Sequence, residues 1–219
     1  MRTKGLPMAR NEELAKFVTE LRNPKKPIDV GGAISRLKEL GWEYDANKYP
    51  DLFPDGAAEI SAPSETPRAP QTAAEAYIWK QGKWKNYLDF LRDLKSAREG
   101  NKGDPGTRLV YWAFARHCAN PCENPIFDQH ALRALWAITG EDWELAEGYL
   151  FATSHGKTSP TTKDGATLHQ QFLDRLRERF GRKATRWKDV DRLLMPLGKA
   201  LKKGVQTRED FHQACGRDQ

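Results

Sequence analysis

The sequence is poor in cysteine and has no long hydrophobic run. Its 219 residues include three cysteines, Cys118, Cys122 and Cys215, an odd and sparse set that argues against a disulfide framework and suits a reducing compartment. The longest uninterrupted apolar run, 109–115, is far shorter than the ~18 residues that a membrane-spanning helix needs, and no signal-peptide apolar segment follows the first residues. We therefore expect a soluble, cytoplasmic protein without a membrane partner.

The few cysteines also bear on metal binding. Cys118 and Cys122 have three residues between them, with His117 and His130 nearby, and a metal site is one interpretation of this group. No second cysteine pair completes a zinc motif, so buried or incidental thiols are the favoured interpretation. We expect no metal and no other cofactor.

The chain is polar, with 38% hydrophobic residues when glycine is not counted and 30% charged residues against about 25% in typical globular domains, although seven Trp and nine Phe can supply a core. The formal net charge is +6, and its distribution is uneven. Residues 1–70 are neutral, so the whole basic excess lies in 71–219. A basic segment of this kind favours an anionic partner such as nucleic acid.

A composition change divides the chain near the same place. The segment 54–70 contains four prolines among Ala, Ser, Glu and Thr, and Ile60 is its only large aliphatic residue. Such composition is typical of a linker or an extended surface segment. The predicted organisation is therefore a small N-terminal appendage over 1–53, a Pro-rich linker over 54–72 and a larger domain over 73–214.

Apolar residues recur at three- and four-residue spacing along most of the chain, which is the pattern of amphipathic helices. Upstream of the linker the pattern predicts two helices, which either pack onto the larger domain or, as the alternative, form a helix-turn-helix. No segment alternates as a strand does, so the predicted fold class is all-α. The predicted helices cover 12–22, 32–40, 73–79, 84–98, 107–118, 128–138, 142–152, 166–180, 188–203 and 208–214.

The segment 103–110, Gly-Asp-Pro-Gly-Thr-Arg-Leu-Val, predicts a tight turn before a helix. Its two glycines leave backbone amides uncovered, and exposed amides at a helix N-terminus bind anions such as phosphate. An ordinary turn is the alternative. Further along, Asp128 follows an extended stretch that contains Pro125 and precedes another helix, so local physics alone makes it a helix N-cap.

In combination these segments resemble the helix-hairpin-helix DNA glycosylase superfamily, which includes endonuclease III, the adenine-specific mismatch glycosylases and the 8-oxoguanine DNA glycosylases. Residues 106–110, Gly-Thr-Arg-Leu-Val, lie where that family has Gly-x-Lys-x-Ala, and residues 128–133 match its Asp-x-His-x-x-Arg segment at the right separation. Residues 189–199 resemble its Asp-Arg-x-Leu-Trp-x-x-Gly-Lys helix, with Met195-Pro196 in place of the aromatic residue. The resemblance covers about residues 73–203.

The resemblance implies a glycosylase-like helical domain that binds double-stranded DNA and flips a damaged or modified base out of the duplex. Asp128 would assist hydrolysis of the N-glycosidic bond. Arg108 stands where the family has its nucleophilic Lys, and a guanidinium is a very poor nucleophile, so the expected enzyme is monofunctional, without lyase activity. Arg108 would bind phosphate or position Asp128, or be a solvated helix residue. The four-cysteine iron–sulfur loop of some relatives is missing, so no cluster is predicted.

Other residues are candidates through the same resemblance. The aromatic candidates for a base pocket have core packing as their alternative, and His130 is interpreted as a helix-packing or capping partner. The basic stretch 175–188 is interpreted as solvated surface, with a DNA flank contact as the alternative. Candidate DNA contacts are Lys80, Lys83, Lys85, Lys102, Gly103, Gly106, Thr107, Arg108, Arg116 and Arg133; candidate pocket residues are Trp79, Trp84, Trp112, Phe127 and Trp136.

Two other classes of function stay open: a non-catalytic helix-hairpin-helix DNA-binding protein and a helical regulatory or interaction module. The excised base is not fixed by the motifs, and either base-excision repair or defence against modified phage DNA is compatible with them. We expect a nucleoid-associated monomer.

Overall fold

The computed structural model describes residues 8–23, 27–45, 67–139, 143–154, 162–181, 187–203 and 208–215, together with residues 63 and 65. All regular structure in these ranges is helical, which confirms the all-α class. The helices are α1 (Met8–Arg22), α2 (Val30–Glu39), α3 (Ala73–Lys80), α4 (Trp84–Arg98), α5 (Leu109–Ala119), α6 (Gln129–Thr139), α7 (Glu144–Ser154), α8 (Thr162–Phe180), α9 (Trp187–Lys202) and α10 (Arg208–Ala214). In the described part of the chain no helix combines the length and apolar composition needed to cross a membrane.

Helix α6 is the centre of the fold. Every residue of 131–138 is buried, and α6 packs against α1, α7, α8 and α9. Small side chains allow this: Ala131, Ala134 and Ala137 are at most 1% exposed, so neighbouring helices approach the α6 backbone closely. The closest approach is at Gly198 of α9, where a methyl group would overlap the backbone carbonyl of His130.

The two N-terminal helices belong to the same hydrophobic core. The apolar face of α1, including Phe17 and Val18, is buried with residues of α6 and α9. At the end of α1, Arg22 Nε donates to the carbonyl of Ala137 on α6 at 3.1 Å. The interpretation that these helices pack onto the larger domain is therefore confirmed. Most of the predicted linker lies outside the described residues, and Pro67 near its end is buried.

Helix α3 is tied to α4 through one buried carboxylate. Glu75 completes a capping box with Thr72, and its Oε1 accepts from the hydroxyl of Tyr87 on α4 at 2.9 Å. Burial and the neighbouring Glu75 raise the pKa of Tyr87 to about 12. The α3–α4 pair thus presents the turn 81–83 at a fixed place on the surface.

Helices α4 and α5 pack side by side with their C-terminal turns at the same end. Phe90 stacks on Phe114 at a ring separation of 5.7 Å, and Arg108 at the start of α5 reaches Asp93. The connection 99–108 therefore runs back along α5 before the helix begins. Its last residues form a turn closed by the bond from the amide of Arg108 to the carbonyl of Pro105, which is why α5 begins at Leu109 rather than at Thr107.

Candidate active site around Asp128

Asp128 caps the N-terminus of α6 with one of its two carboxylate oxygens. Its Oδ1 accepts from the amides of His130 and Ala131, each at 2.7 Å, and its backbone carbonyl accepts from Leu132. The N-cap interpretation is confirmed. No donor in the described part of the chain lies within hydrogen-bond distance of Oδ2, and the residue is half-buried. One oxygen is thus held in place while the other is left for a ligand or water.

The charge of Asp128 affects the pKa values of three side chains, those of Tyr149, His130 and Arg133. Burial raises the pKa of Tyr149, and Asp128 adds to that rise. Burial lowers the pKa of His130, an effect that Asp128 opposes and that Arg133, Lys202 and Lys199 strengthen. The lysines come from α9, so cations of that helix lie beside the α6 N-terminus.

Two segments that carry the family resemblance meet at this place. Gly198 of the 189–199 segment lies against His130, the charge of Lys199 lowers the pKa of that histidine, and Lys202 Nζ donates to Gln129 Oε1 at 3.5 Å. Gly198 is required by the close contact with the His130 carbonyl, since any larger residue would separate α9 from α6. The two segments are about sixty residues apart in sequence, and the fold places them in one cluster.

Arg133 was expected to contact a DNA phosphate, but it lies in the interior. It is 3% exposed, and its Nη1 donates to the carbonyl of Gln129 at 3.3 Å and lies 3.5 Å from His130 Nδ1. Burial lowers its pKa to about 10, with Asp128 opposing the shift. Arg133 therefore supports the α6 N-terminus from within instead of facing solvent.

Arg108 forms ion pairs with two aspartates of α4. Its Nη1 lies 2.9 Å from Asp93 Oδ2, and its Nε lies 4.0 Å from Asp89 Oδ2. This pairing places Arg108 against the α4 surface, and no described contact joins it to Asp128, so the expected positioning role is not seen. Asp89 and Asp93 were not identified from the sequence, although two carboxylates one helical turn apart were a visible signal.

The turn before α5 has the backbone geometry expected of an anion site. Gly103 and Gly106 have positive φ angles of 61° and 54°, which glycine adopts without strain. The Gly106 amide donates a hydrogen bond to Asp104 Oδ1 at 2.9 Å. Arg108 makes no side-chain cap, so the amides at the start of α5 have no acceptor in the described residues. Lys102 is exposed beside this turn, as is Thr107.

Aromatic rings connect this turn to Asp128. Trp112 on α5 meets His169 on α8 at 5.2 Å, and His169 meets Phe127 at 5.5 Å, all edge-on. Phe127 directly precedes Asp128. The turn and the carboxylate are thus linked through packed rings.

The aromatic residues considered for a base pocket separate into two groups. Trp112, Phe127 and Trp136 are 6%, 1% and 0% exposed, so the structure places them in the core, which is the alternative interpretation. Trp79 is 58% exposed on α3, and Trp84 is half-buried against Tyr87. The exposed Lys80, Lys83 and Lys85 surround the α3–α4 turn.

The basic stretch that begins at Arg175 is less solvated than expected. Arg175 lies over the ring of Trp143 at 4.8 Å, Arg177 donates to the carbonyl of Glu123 at 3.1 Å, and Arg179 donates to the carbonyl of Asn23 at 3.0 Å. These three arginines therefore join α8 to other parts of the fold. Residues 182–186 of the same stretch lie outside the described residues.

The thiols are separated from one another. Cys118 is buried, which raises its pKa to about 11, whereas Cys122 is exposed and Cys215 is buried elsewhere. His117 Nδ1 is bonded to the carbonyl of Asn124 at 2.8 Å. Within the described ranges no three His, Cys, Asp or Glu side chains are grouped as metal ligands.

Compared with known proteins, the chain matches no family model, no curated protein and no solved structure.

Proposed function

We propose that the protein is a monofunctional DNA glycosylase that excises a damaged or modified base from double-stranded DNA. The observation that carries the proposal is the state of Asp128: Oδ1 is fixed by two helix amides, and Oδ2 has no partner in the described residues. A carboxylate held in this way is preorganised, since its orientation does not have to be set when substrate binds. Its place at the N-terminus of α6 also stabilises its negative charge.

The chemistry follows from that geometry. Cleavage of the bond between C1′ of the sugar and the base nitrogen develops positive charge at C1′, which the carboxylate stabilises. Asp128 Oδ2 also accepts a hydrogen bond from a water molecule, orienting its oxygen toward C1′. The new bond joins the water oxygen to C1′, and the electron pair of the broken C1′–N bond leaves on the base nitrogen. The proton that the water loses passes to Asp128 Oδ2 and then, through solvent, to the departing base. The product is an abasic site.

Cations near the α6 N-terminus and at the turn before α5 are the candidates to hold the DNA backbone. Lys199 and Lys202 lie at the α6 N-terminus, and Lys102 lies at the turn before α5, whose free amides provide further donors to a phosphate. Such contacts carry no sequence information, so they suit an enzyme that searches for one altered base. Base extrusion would bring the reacting sugar to Asp128.

The chain lacks a nucleophilic amine at the position that a lyase would need. Arg108 stands there, and its guanidinium is paired with Asp93. A Schiff base requires an unprotonated amine, which a guanidinium does not supply. The proposed enzyme therefore stops at the abasic site and does not cleave the strand.

One observation favours a second candidate, a non-catalytic DNA-binding protein. Arg108 faces α4 and not Asp128, while the turn amides and Lys102 remain available to a phosphate. DNA affinity in such a protein would reside in the turn before α5, and Asp128 would serve only as a helix cap.

Mass spectrometry of released bases separates the two candidates. Duplexes carrying oxidised, alkylated, mismatched and phage-type modified bases are incubated with the protein, and free bases are identified. Release of one class of base without strand cleavage, followed by alkali-sensitive breaks, is expected; the class that is released also distinguishes a repair role from defence against modified phage DNA. Salt-dependent DNA binding without release of any base would establish the second candidate, and absence of binding would leave a helical interaction module.

A further inference from the structure

A polar cleft lies away from Asp128, between the ends of α4 and α5, the turn 120–124 and one face of α8. Its volume is about 440 Å³, within the range of roughly 300–1,000 Å³ of small-molecule sites. Three guanidinium groups and three side-chain amides line it, with one carboxylate. These side chains are Arg98, Arg116, Arg177, Asn120, Asn124, Gln170 and Glu123.

Two of the arginines are held in fixed orientations. Arg116 lies over the ring of Trp112 at 5.0 Å, and its Nη1 donates to the carbonyls of Asn101 and Lys102 at 3.2 and 3.3 Å. Arg177 Nη2 donates to the carbonyl of Glu123 at 3.1 Å. Each guanidinium has five N–H donors, so these bonds set its plane and leave other donors for a ligand.

The charge balance of the cleft favours an anion. Three guanidiniums face one lining carboxylate, that of Glu123, which is 68% exposed and lies 3.3 Å from Arg177 Nη2. Asp174, which does not line the cleft and is 54% exposed, lies 3.7 Å from Arg177 Nη1. The C-terminal turns of α4 and α5 each contribute a partial charge of about −0.5, so about one positive charge remains among the lining groups. Two arginines in last turns are expected from helix-dipole compensation alone, whereas Arg177 comes from a third helix and is paired with the exposed carboxylates of Glu123 and Asp174.

We propose that this cleft binds a nucleotide through its phosphate monoester, with Arg116 and Arg177 holding the phosphate and the side-chain amides contacting the base. The volume exceeds what inorganic phosphate would fill. Each side-chain amide already makes one local bond: Asn120 Oδ1 accepts from the Glu123 amide, Asn124 Nδ2 donates to the Asn120 carbonyl, and Gln170 Nε2 donates to Asp174 Oδ1. Their remaining donors and acceptors can pair with the edges of a base, as Asn and Gln do in base recognition. The inference is independent of glycosylase activity, because neither Asp128 nor the turn before α5 lines the cleft.

A buried histidine lies next to the cleft. His169 precedes Gln170 on α8 and lies on the same stripe as Leu173 and Arg177, one and two turns away. It is 3% exposed, and its Nε2 has no hydrogen-bond partner. Burial lowers the pKa of this imidazole, and the charges of Arg116 and Arg177 lower it further. Both arginines therefore lie near the same part of α8.

Calorimetric titration of the full chain tests the proposal. The four deoxynucleoside 5′-monophosphates are titrated separately, alongside inorganic phosphate and blunt duplexes with 5′-phosphate or 5′-hydroxyl ends. We expect either a mononucleotide or a duplex with a 5′-phosphate end to bind at least tenfold more tightly than inorganic phosphate. If the duplex is the ligand, its 5′-phosphate form is expected to bind more tightly than its 5′-hydroxyl form. A preference for the free mononucleotide identifies a metabolite as the source of the phosphate, and a preference for the duplex end identifies DNA.

Variants locate the binding. Arg177→Gln is expected to weaken it at least tenfold, while Arg36→Gln on the exposed surface of α2 leaves it unchanged. Glu123→Gln removes the competing carboxylate and is expected to tighten binding severalfold, a gain that misfolding cannot produce. Equal affinity for inorganic phosphate, no binding of any probe, or binding unaffected by Arg177→Gln and Glu123→Gln would overturn the proposal. Asp128→Asn is expected to leave nucleotide affinity unchanged, so failure of this site and failure of the glycosylase proposal are distinguishable.

Discussion

Arg108 at the start of α5 and Asp93 on α4 form an ion pair, with Nη1 2.9 Å from Oδ2. Their side chains are 30% and 12% exposed, so the pair is partly shielded from solvent. The residue at the position of a family nucleophile therefore joins two helices, and this contact fixes where the turn before α5 lies relative to α4.

A double-mutant cycle measures that contact. Arg108→Gln and Asp93→Asn, singly and together, are expected to give a coupling free energy of about 1 kcal/mol in chemical denaturation, because the pair is only partly solvent-screened. The exposed pair Arg36–Glu39, at 56% and 64% exposure, serves as control and is expected to give about 0.3 kcal/mol. Equal couplings for the two pairs would mean that Arg108 does not join α4 to α5.

The contact between α9 and α6 predicts a large effect at one glycine. Gly198→Ala is expected to destabilise the protein by about 3 kcal/mol, because the added methyl group meets backbone that cannot move aside without shifting a helix. Gly148→Ala is the matched control: that position on α7 has open space around it, and a gain of up to about 1 kcal/mol is expected. Unfolding midpoints in urea report both. Similar midpoints for the two variants would contradict the close α6–α9 approach.

His169 predicts a pH dependence of stability. Burial, with Arg116 and Arg177, lowers its folded-state pKa to about 3, whereas the unfolded side chain titrates near 6.5. Between these values the unfolded state binds the extra proton, so the free energy of unfolding falls as pH falls, by about 1.4 kcal/mol per pH unit. His169→Leu removes this contribution.

Denaturation of wild type and His169→Leu at pH 6 and pH 4.5 checks the effect. The free energy of unfolding is expected to depend less steeply on pH in the variant than in wild type, by about 1.4 kcal/mol per pH unit. Carboxylate titrations common to both proteins cancel in the comparison. Parallel stability profiles of the two proteins would show that His169 is protonated in the folded state over this range.

The salt dependence of DNA binding tests the proposed backbone contacts. Lys102→Ala is expected to weaken binding to all sequences equally and to reduce the slope of log K against log[salt] by about 1, as loss of one phosphate contact requires. Lys38→Ala is the control, because Lys38 lies on α2 and is paired with Glu43 at 2.9 Å. An unchanged slope for Lys102→Ala would remove the turn before α5 from the DNA interface.

Local features of the fold were predictable from the sequence. The periodic pattern predicted the described helices to within a few residues, with α4 and α10 correct at both ends, because amphipathic spacing and caps are local signals. The cap by Asp128 was predictable for the same reason. The start of α5 was misplaced because the turn that ends at Arg108 uses Thr107, which has no local signature.

Tertiary features were not predictable in the same way. Arg133 was expected at the surface, but α6 is surrounded by other helices, so even this arginine is buried. Whether a helix is central depends on contacts between distant segments, such as Gly198 with His130. The arginine-lined cleft was missed because Arg98, Arg116 and Arg177 are far apart in the sequence and only the packing of α4, α5 and α8 brings them together.

The single-turnover rate of base release by Asp128→Asn, on the duplex identified by mass spectrometry, tests the central claim most directly. Asparagine preserves an N-cap, so the fold is expected to survive while the charge that faces C1′ is lost. Asp29→Asn is the control, because Asp29 caps α2 through the amide of Gly32 at 3.2 Å. We predict a loss of about 10²–10³-fold for Asp128→Asn and an unchanged rate for Asp29→Asn. Equal rates for wild type and Asp128→Asn would contradict the assignment of Asp128 as the catalytic carboxylate.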